Sequence, residues 1–143
     1  MSKHQEAEIA LFNYAAAIDS TLPVDYPNHE LAAYPKNGGA WLQFTNLRAG
    51  TFLATLGDTG ENEDRGILQI DFNISKGAGS GAILELADKY EKAFQIGRKI
   101  NYNNGNLIFT VHKTALSPGR YVGNYYRVSL SVDYSYRTTR NLT

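Results

Sequence analysis

The stretch Arg65–Ser75, RGILQIDFNIS, decides how the rest of the chain is read. Leu68, Ile70, Phe72 and Ile74 alternate with Gln69, Asp71, Asn73 and Ser75. A period of two puts the first set on one face of a strand and the second on the other. Such a strand lines a core on one side only, as in an antiparallel sheet, whereas strands of a doubly wound parallel sheet read as continuous apolar runs.

On its C-terminal side the strand meets Lys76–Ala82, KGAGSGA, and then a helical pattern in which Ile83, Ala87, Tyr90 and Phe94 share a face, running to about Gln95 with Gly97 as its stop. Glu85 with Lys89 and Asp88 with Lys92 are acid-before-base pairs on the exposed side. Gly77, Gly79 and Ala82 satisfy G-x-G-x-x-[GA], so a dinucleotide reading is admissible. That fingerprint also needs a βαβ unit and an acid at the end of its second strand to hold the ribose. The segment where the acid belongs, Gly97–Asn106, contains no carboxylate, and the Gly-Lys-[Ser/Thr] ending of a P-loop is missing too. The glycines therefore read as a sharp strand-to-helix turn.

On the N-terminal side Ala40–Asp58, AWLQFTNLRAGTFLATLGD, reads as two strands about a turn near Arg48-Ala49-Gly50, with Leu42 and Phe44 on one face and Trp41 and Gln43 on the other. Before it, Ala7, Leu11, Tyr14 and Ile18 mark a helix over Gln5–Ile18, and the three prolines of Thr21–Gly39 imply an irregular excursion. Downstream, one strand buries Leu107, Phe109 and Val111, and another buries Tyr126, Val128, Leu130, Val132 and Tyr134, joined through ALSPGRYVG. The order is helix, three strands, helix, two strands. It predicts an α+β fold: one domain over residues 1–143, a largely antiparallel sheet packed against two helices, and a flexible C-terminal tail at 138–143.

Composition narrows the function. A chain of 143 residues that is 43% hydrophobic supports one core, not the two of a dehydrogenase. Fourteen bases balance fourteen acids, which gives no footprint for DNA or a membrane surface. The absence of cysteine removes disulfides and Cys-ligated zinc and fits maturation in a reducing cytoplasm. Neither an apolar leader nor a run of about 20 apolar residues is present, so no membrane partner is expected.

Two clusters invite a role. Gly57–Gly66, GDTGENEDRG, gathers Asp58, Glu61, Glu63 and Asp64. Oxygen-rich loops can hold calcium, but the spacing is not that of an EF-hand, and a solvated loop between strands is the plainer reading. With no apolar anchor over Asp58–Asp64 the loop is expected to be loose in a lone subunit. It would order when Arg48, Arg65 or Arg120 of a neighbouring copy pairs with its carboxylates. The second cluster interleaves Tyr121, Tyr125, Tyr126, Tyr134 and Tyr136 with Arg120, Arg127, Arg137 and Arg140. Stacking on single-stranded nucleic acid is one use of that pattern, and a subunit interface is another. His4, His29 and His112 stand apart, without a metal or nucleophile motif. No catalytic residue, metal site or cofactor is expected. The candidate subunit or tube interface is Arg48, Asp58, Glu61, Glu63, Asp64, Arg65, Arg120, Tyr125 and Arg127.

Leu56-Gly57, Arg65-Gly66-x-x-Gln69, the glycine turn at Gly77–Gly81, Ala87-Asp88 and Tyr126-Arg127-Val128 together resemble the tail terminator-like proteins of long-tailed bacteriophages. The resemblance covers roughly Leu42–Tyr136. It implies a virion structural protein without an active site, made in the host cytoplasm and placed at the head–tail junction. Its copies would form a ring, typically a hexamer, that caps the tail tube and receives the head connector or stopper, with DNA passing through the lumen without specific binding. A head–tail adaptor or neck protein is the neighbouring alternative, and a nucleotide-binding enzyme the distant one.

Overall fold

The computed structural model describes residues 2–35, 39–102 and 107–139. In chain order the elements are α1 (Lys3–Ile18), β1 (Val24–Asp25), β2 (Ala40–Leu53), β3 (Glu61–Ser75), α2 (Gly81–Ala93), β4 (Lys99–Tyr102), β5 (Leu107–Leu116), β6 (Arg120–Val122) and β7 (Tyr125–Thr139). One sheet has the order β1-β2-β3-β7-β5-β4, and β6 continues the line of β5 along β7. Every neighbouring pair is antiparallel except β1 with β2. The fold is α+β, as expected.

Both helices lie on one face of this sheet, and the reason is the alternation in β3. Leu68, Ile70, Phe72 and Ile74 are buried with Leu42 and Phe44 of β2, Phe109 and Val111 of β5, and Val128, Leu130, Val132 and Tyr134 of β7. Each fully buried aromatic or aliphatic side chain contributes about 1.5–3 kcal/mol. Ser2 caps α1, its Oγ accepting from the Gln5 amide at 3.1 Å, and the Ala7, Ala10, Leu11 and Ala15 stripe then lies flat on the core. Small side chains let Phe12 reach Phe44, with ring centroids 5.6 Å apart. Tyr14 donates from its hydroxyl to the Ala93 carbonyl at 2.7 Å and packs on Phe94 edge-on, which ties α1 to the end of α2.

Three sequence expectations change. The turn expected near Arg48-Ala49-Gly50 is a β-bulge inside a single 14-residue strand, with Arg48 opposite Gly66 and Gly50 opposite Arg65. One extra residue bends the strand without ending it, and Gly50 absorbs the distortion at φ +139°. The carboxylates Glu61, Glu63 and Asp64 are not in a loose loop: they stand among the first four residues of β3, which ladders to β2 and β7. Short β1, β4 and β6 have too few residues to show a period and were not foreseen. Of the tail proposed at 138–143, Thr138 and Thr139 complete β7, and residues 140–143 lie outside the described residues.

The glycine segment is a turn. Gly77 and Gly79 have φ of +86° and +82°, the left-handed region that glycine enters without a Cβ penalty. The next strand along the chain, β4, lies at the far edge and runs opposite to β3. A βαβ dinucleotide unit would need it parallel. No heavy atom stands within 4 Å of a Cβ built on Gly79. Gly79→Ala therefore acts through backbone strain alone and should cost about 1–2 kcal/mol. Gly66→Ala should cost more, because its Cβ would sit 2.5 Å from the Tyr134 hydroxyl and 3.1 Å from the Leu47 carbonyl oxygen. Thermal melting of the two variants checks the ranking.

Candidate assembly interface

Past Gly66 the β2–β3 hairpin and the end of β7 run on as a tongue level with β4 and the start of β5, touched by the N-terminal end of α1 through Lys3, and most of the acidic cluster sits there. Asp64, only 8% exposed, turns to the helix-side face, where its carboxylate accepts from the Thr51 hydroxyl of β2 and, at 3.0 Å, from the Thr138 hydroxyl of β7. It is the cross-strand tie of the tongue. Glu61 meets Arg137 at 3.1 Å, and Glu63 meets Arg65 at 2.8 Å, all on the opposite face. The Arg65 guanidinium lies 5.5 Å over the Phe52 ring. Arg48 pairs with Glu8 of α1 at 3.2 Å. These exposed pairs each add no more than about 1 kcal/mol. Asp58 stays exposed at the tip, beside Leu56.

The upper half of the sheet's second face holds Arg120, Tyr125 and Arg127, and it is not the open polar face that the alternation of β3 implied. Asn73 and Asp71 are buried. Arg127 donates from Nε to Asn73 Oδ1 at 2.7 Å and from Nη2 to Gln43 Oε1 at 3.2 Å, with Asp71 4.0 Å away. Ser129 donates to Asp71 at 2.5 Å and accepts from Arg120 at 2.9 Å. Tyr125 donates to the Pro35 carbonyl at 2.9 Å and packs edge-on against Trp41, which Tyr34 also covers. The proline-rich excursion is thus a lid over this network. Buried polar groups need such partners, and four strands share them here. Only the excursion's tertiary position reveals it.

The lower half of that face is an open groove of about 590 Å³, lined by Glu61, Glu63, Lys99, His112, Ser135 and Arg137 among others. His112 Nε2 lies 2.6 Å from Ser135 Oγ. The pair lacks the parts of a nucleophile: Ser135 is buried in mid-strand, and no carboxylate bonds to His112 among the described residues. Nor, among those residues, do three His, Asp or Glu converge where a metal could sit. No described helix is long and apolar enough to cross a membrane.

The nine candidate residues therefore divide. Arg48, Asp58, Glu61, Arg65 and Arg120 present exposed groups, Glu63 is half-buried and paired with Arg65, Asp64 and Arg127 are held inside the subunit, and Tyr125 anchors the lid. Sequence reasoning passed over the exposed apolar tip, where Phe52 is 52% and Leu53 62% exposed. The run TFL in an otherwise polar hairpin was the signal.

Polar groups are thus spent on cross-strand ties, and charge is displayed on strand ends. The chain belongs to the phage tail terminator protein family, whose model matches residues 7–134. It is a structural protein of the virion tail. A solved structure shares the fold at a TM-score of 0.68 and 20% identity, over 95% of this chain and 96% of that one. Among curated proteins no sequence matches.

Asp64→Ala should cost about 1–3 kcal/mol by leaving two threonine hydroxyls without their acceptor, whereas Asp58→Ala should leave the melting temperature nearly unchanged. Urea unfolding of both distinguishes a structural carboxylate from a surface one. Burial, with the neighbouring Tyr136 adding to it, pushes the Tyr134 hydroxyl up to about 12. A raised folded-state value means that its stabilisation is full below the ordinary value of about 10 and is lost as pH rises towards 12. Melting temperatures between pH 9 and 12 should fall less steeply in Tyr134→Phe than in wild type.

Proposed function

We propose that this chain is the subunit of a closed ring, a hexamer, that caps the finished tail tube, ends its polymerisation and presents the surface to which the head connector or stopper joins. The carrying observation is the tail terminator match over residues 7–134, which takes in every element except the first turn of α1 and the end of β7. Termination needs no chemistry. It needs a subunit whose one surface binds the last tube ring while the other offers no site for a further tube subunit, a difference of affinities built into shape and charge. Exposed Arg48, Asp58, Glu61, Arg65 and Arg120, with Glu63 paired to Arg65, are the candidate contacts, and Asp64, Tyr125 and Arg127 would serve by holding the strands that carry them. DNA would pass through the lumen without specific binding. Balanced charge supports that, since each neutralised phosphate adds affinity that would slow passage.

Light scattering and electron microscopy of the purified protein, alone and with tubes assembled from the tail tube protein, test the reading. Rings at one end of each tube, and tubes that stop elongating when the protein is added, are expected. A protein that stays monomeric, binds no tube end and can be removed from the phage without changing tail length would overturn it.

A further inference from the structure

The sheet has two open edges. Among the described residues β1 covers β2 only at Leu42 and Gln43, and no strand lies beside β2 on its outer side from Phe44 to Leu53. At the other end, among those residues, β4 is paired only with β5. An open edge is a row of unpaired amides and carbonyls, a template for another strand. The bulge at Arg48–Gly50 divides the β2 edge and leaves Gly50–Leu53 as a regular segment opposite Arg65 and the residues before it. That segment has four residues, and so does β4.

The two segments are level and run the same way. Gly50 pairs with Arg65, Arg65 with Ser135, Ser135 with Thr110 and Thr110 with Lys99, a single row across the sheet. Four successive antiparallel steps from β2 to β4 make those two strands parallel. Turning one copy about an axis along the strands would bring β4 beside Gly50–Leu53 of the next copy at the same height. A contact between two different surfaces of the same chain is heterologous, and it closes into a ring when the rotation allows.

Side chains favour a second copy as the occupant. Residues 54–65, next to the β2 segment, hold four acids and one base, of which Asp64 turns inward and Glu61 and Glu63 pair with Arg137 and Arg65, while residues 95–113, around β4, hold three bases and no acid. Those bases, Arg98, Lys99 and Lys113, are exposed and make no ion pair among the described residues. Exposed apolar groups stand on both sides, Phe52 and Leu53 on one and Ile108, paired with Asn101, on the other. We propose that ring neighbours join edge to edge, Lys99–Tyr102 of one copy lying alongside Gly50–Leu53 of the next, with the acidic hairpin end against the basic β4 end. The inference rests on the ring reading above and names its contact.

The chain has no cysteine, so introduced pairs report cleanly. Phe52→Cys with Asn101→Cys, and Phe52→Cys with Lys99→Cys one side-chain step away, sample the register. Within one copy these positions are four strands apart, about 19 Å, too far for a disulfide. Mild oxidation of the assembled protein should give a ladder of covalent oligomers from at least one pair, and none from Phe52→Cys with Leu84→Cys on α2. Independently, Lys99→Glu should weaken self-association on the order of tenfold or more at low salt, with the monomer's melting temperature kept. Rings that form without a ladder and tolerate Lys99→Glu would overturn this contact and leave the ring reading standing. A wild-type chain that never associates, with or without tubes, would remove both.

Discussion

The structure depends on the ladder between β3 and β7. All of Glu61–Ser75 pairs with Tyr125–Thr139, and every other strand attaches to one of the two directly or through a single intermediary. A ladder of that length has one permissible register, because a slip by one residue would put Asp71 and Asn73 where Ile70 and Phe72 belong. The same register brings Arg127 to Asn73 and Ser129 to Asp71 on the reverse side. Apolar burial on one face and hydrogen bonding on the other therefore select the same pairing.

The ladder runs on past the middle of the sheet to the hairpin end, where its surroundings change. Over the middle of the sheet α1 and α2 cover one face and the proline-rich excursion shields part of the other. Past Gly66 the helix cover thins to the first residues of α1, where Lys3 donates to the Thr139 carbonyl, and the side chains change: threonines around Asp64, ion pairs on the reverse face, and apolar groups left in solvent at the tip. A lone subunit gains little from exposed phenylalanine and leucine. The ring proposed above would bury them.

Most buried polar side chains among the described residues have a related use. Reactive groups need a concave site with strained or desolvated side chains, and here Asp64, Asp71, Asn73, Ser129 and Arg127 are spent holding strands together. The glycine turn that imitates a phosphate cradle lies at a strand-to-helix corner with the wrong strand order behind it. Its left-handed residues serve the reversal of the chain. Membership in the tail terminator family agrees with a protein whose work is done by surfaces.

What the sequence determined by itself was everything carried by a period: the core face of β3, β5 and β7, both helices, and hence an α+β fold with a one-sided core. Periodicity is local, and burial on one face writes it directly into the chain. Elements of two to four residues carry no period, so β1, β4 and β6 needed tertiary pairing to exist. The bulge at Gly50 read as a turn because a glycine at positive φ suits either. Asp64 and Arg127 looked like surface charges because nothing local distinguishes a solvated charge from one whose partners come from strands far away in the chain. The tertiary structure alone decided which charges are internal ties and which face outward, since that depends on what packs above each position, and those neighbours lie 54 residues off for Arg127 and 74 for Asp64.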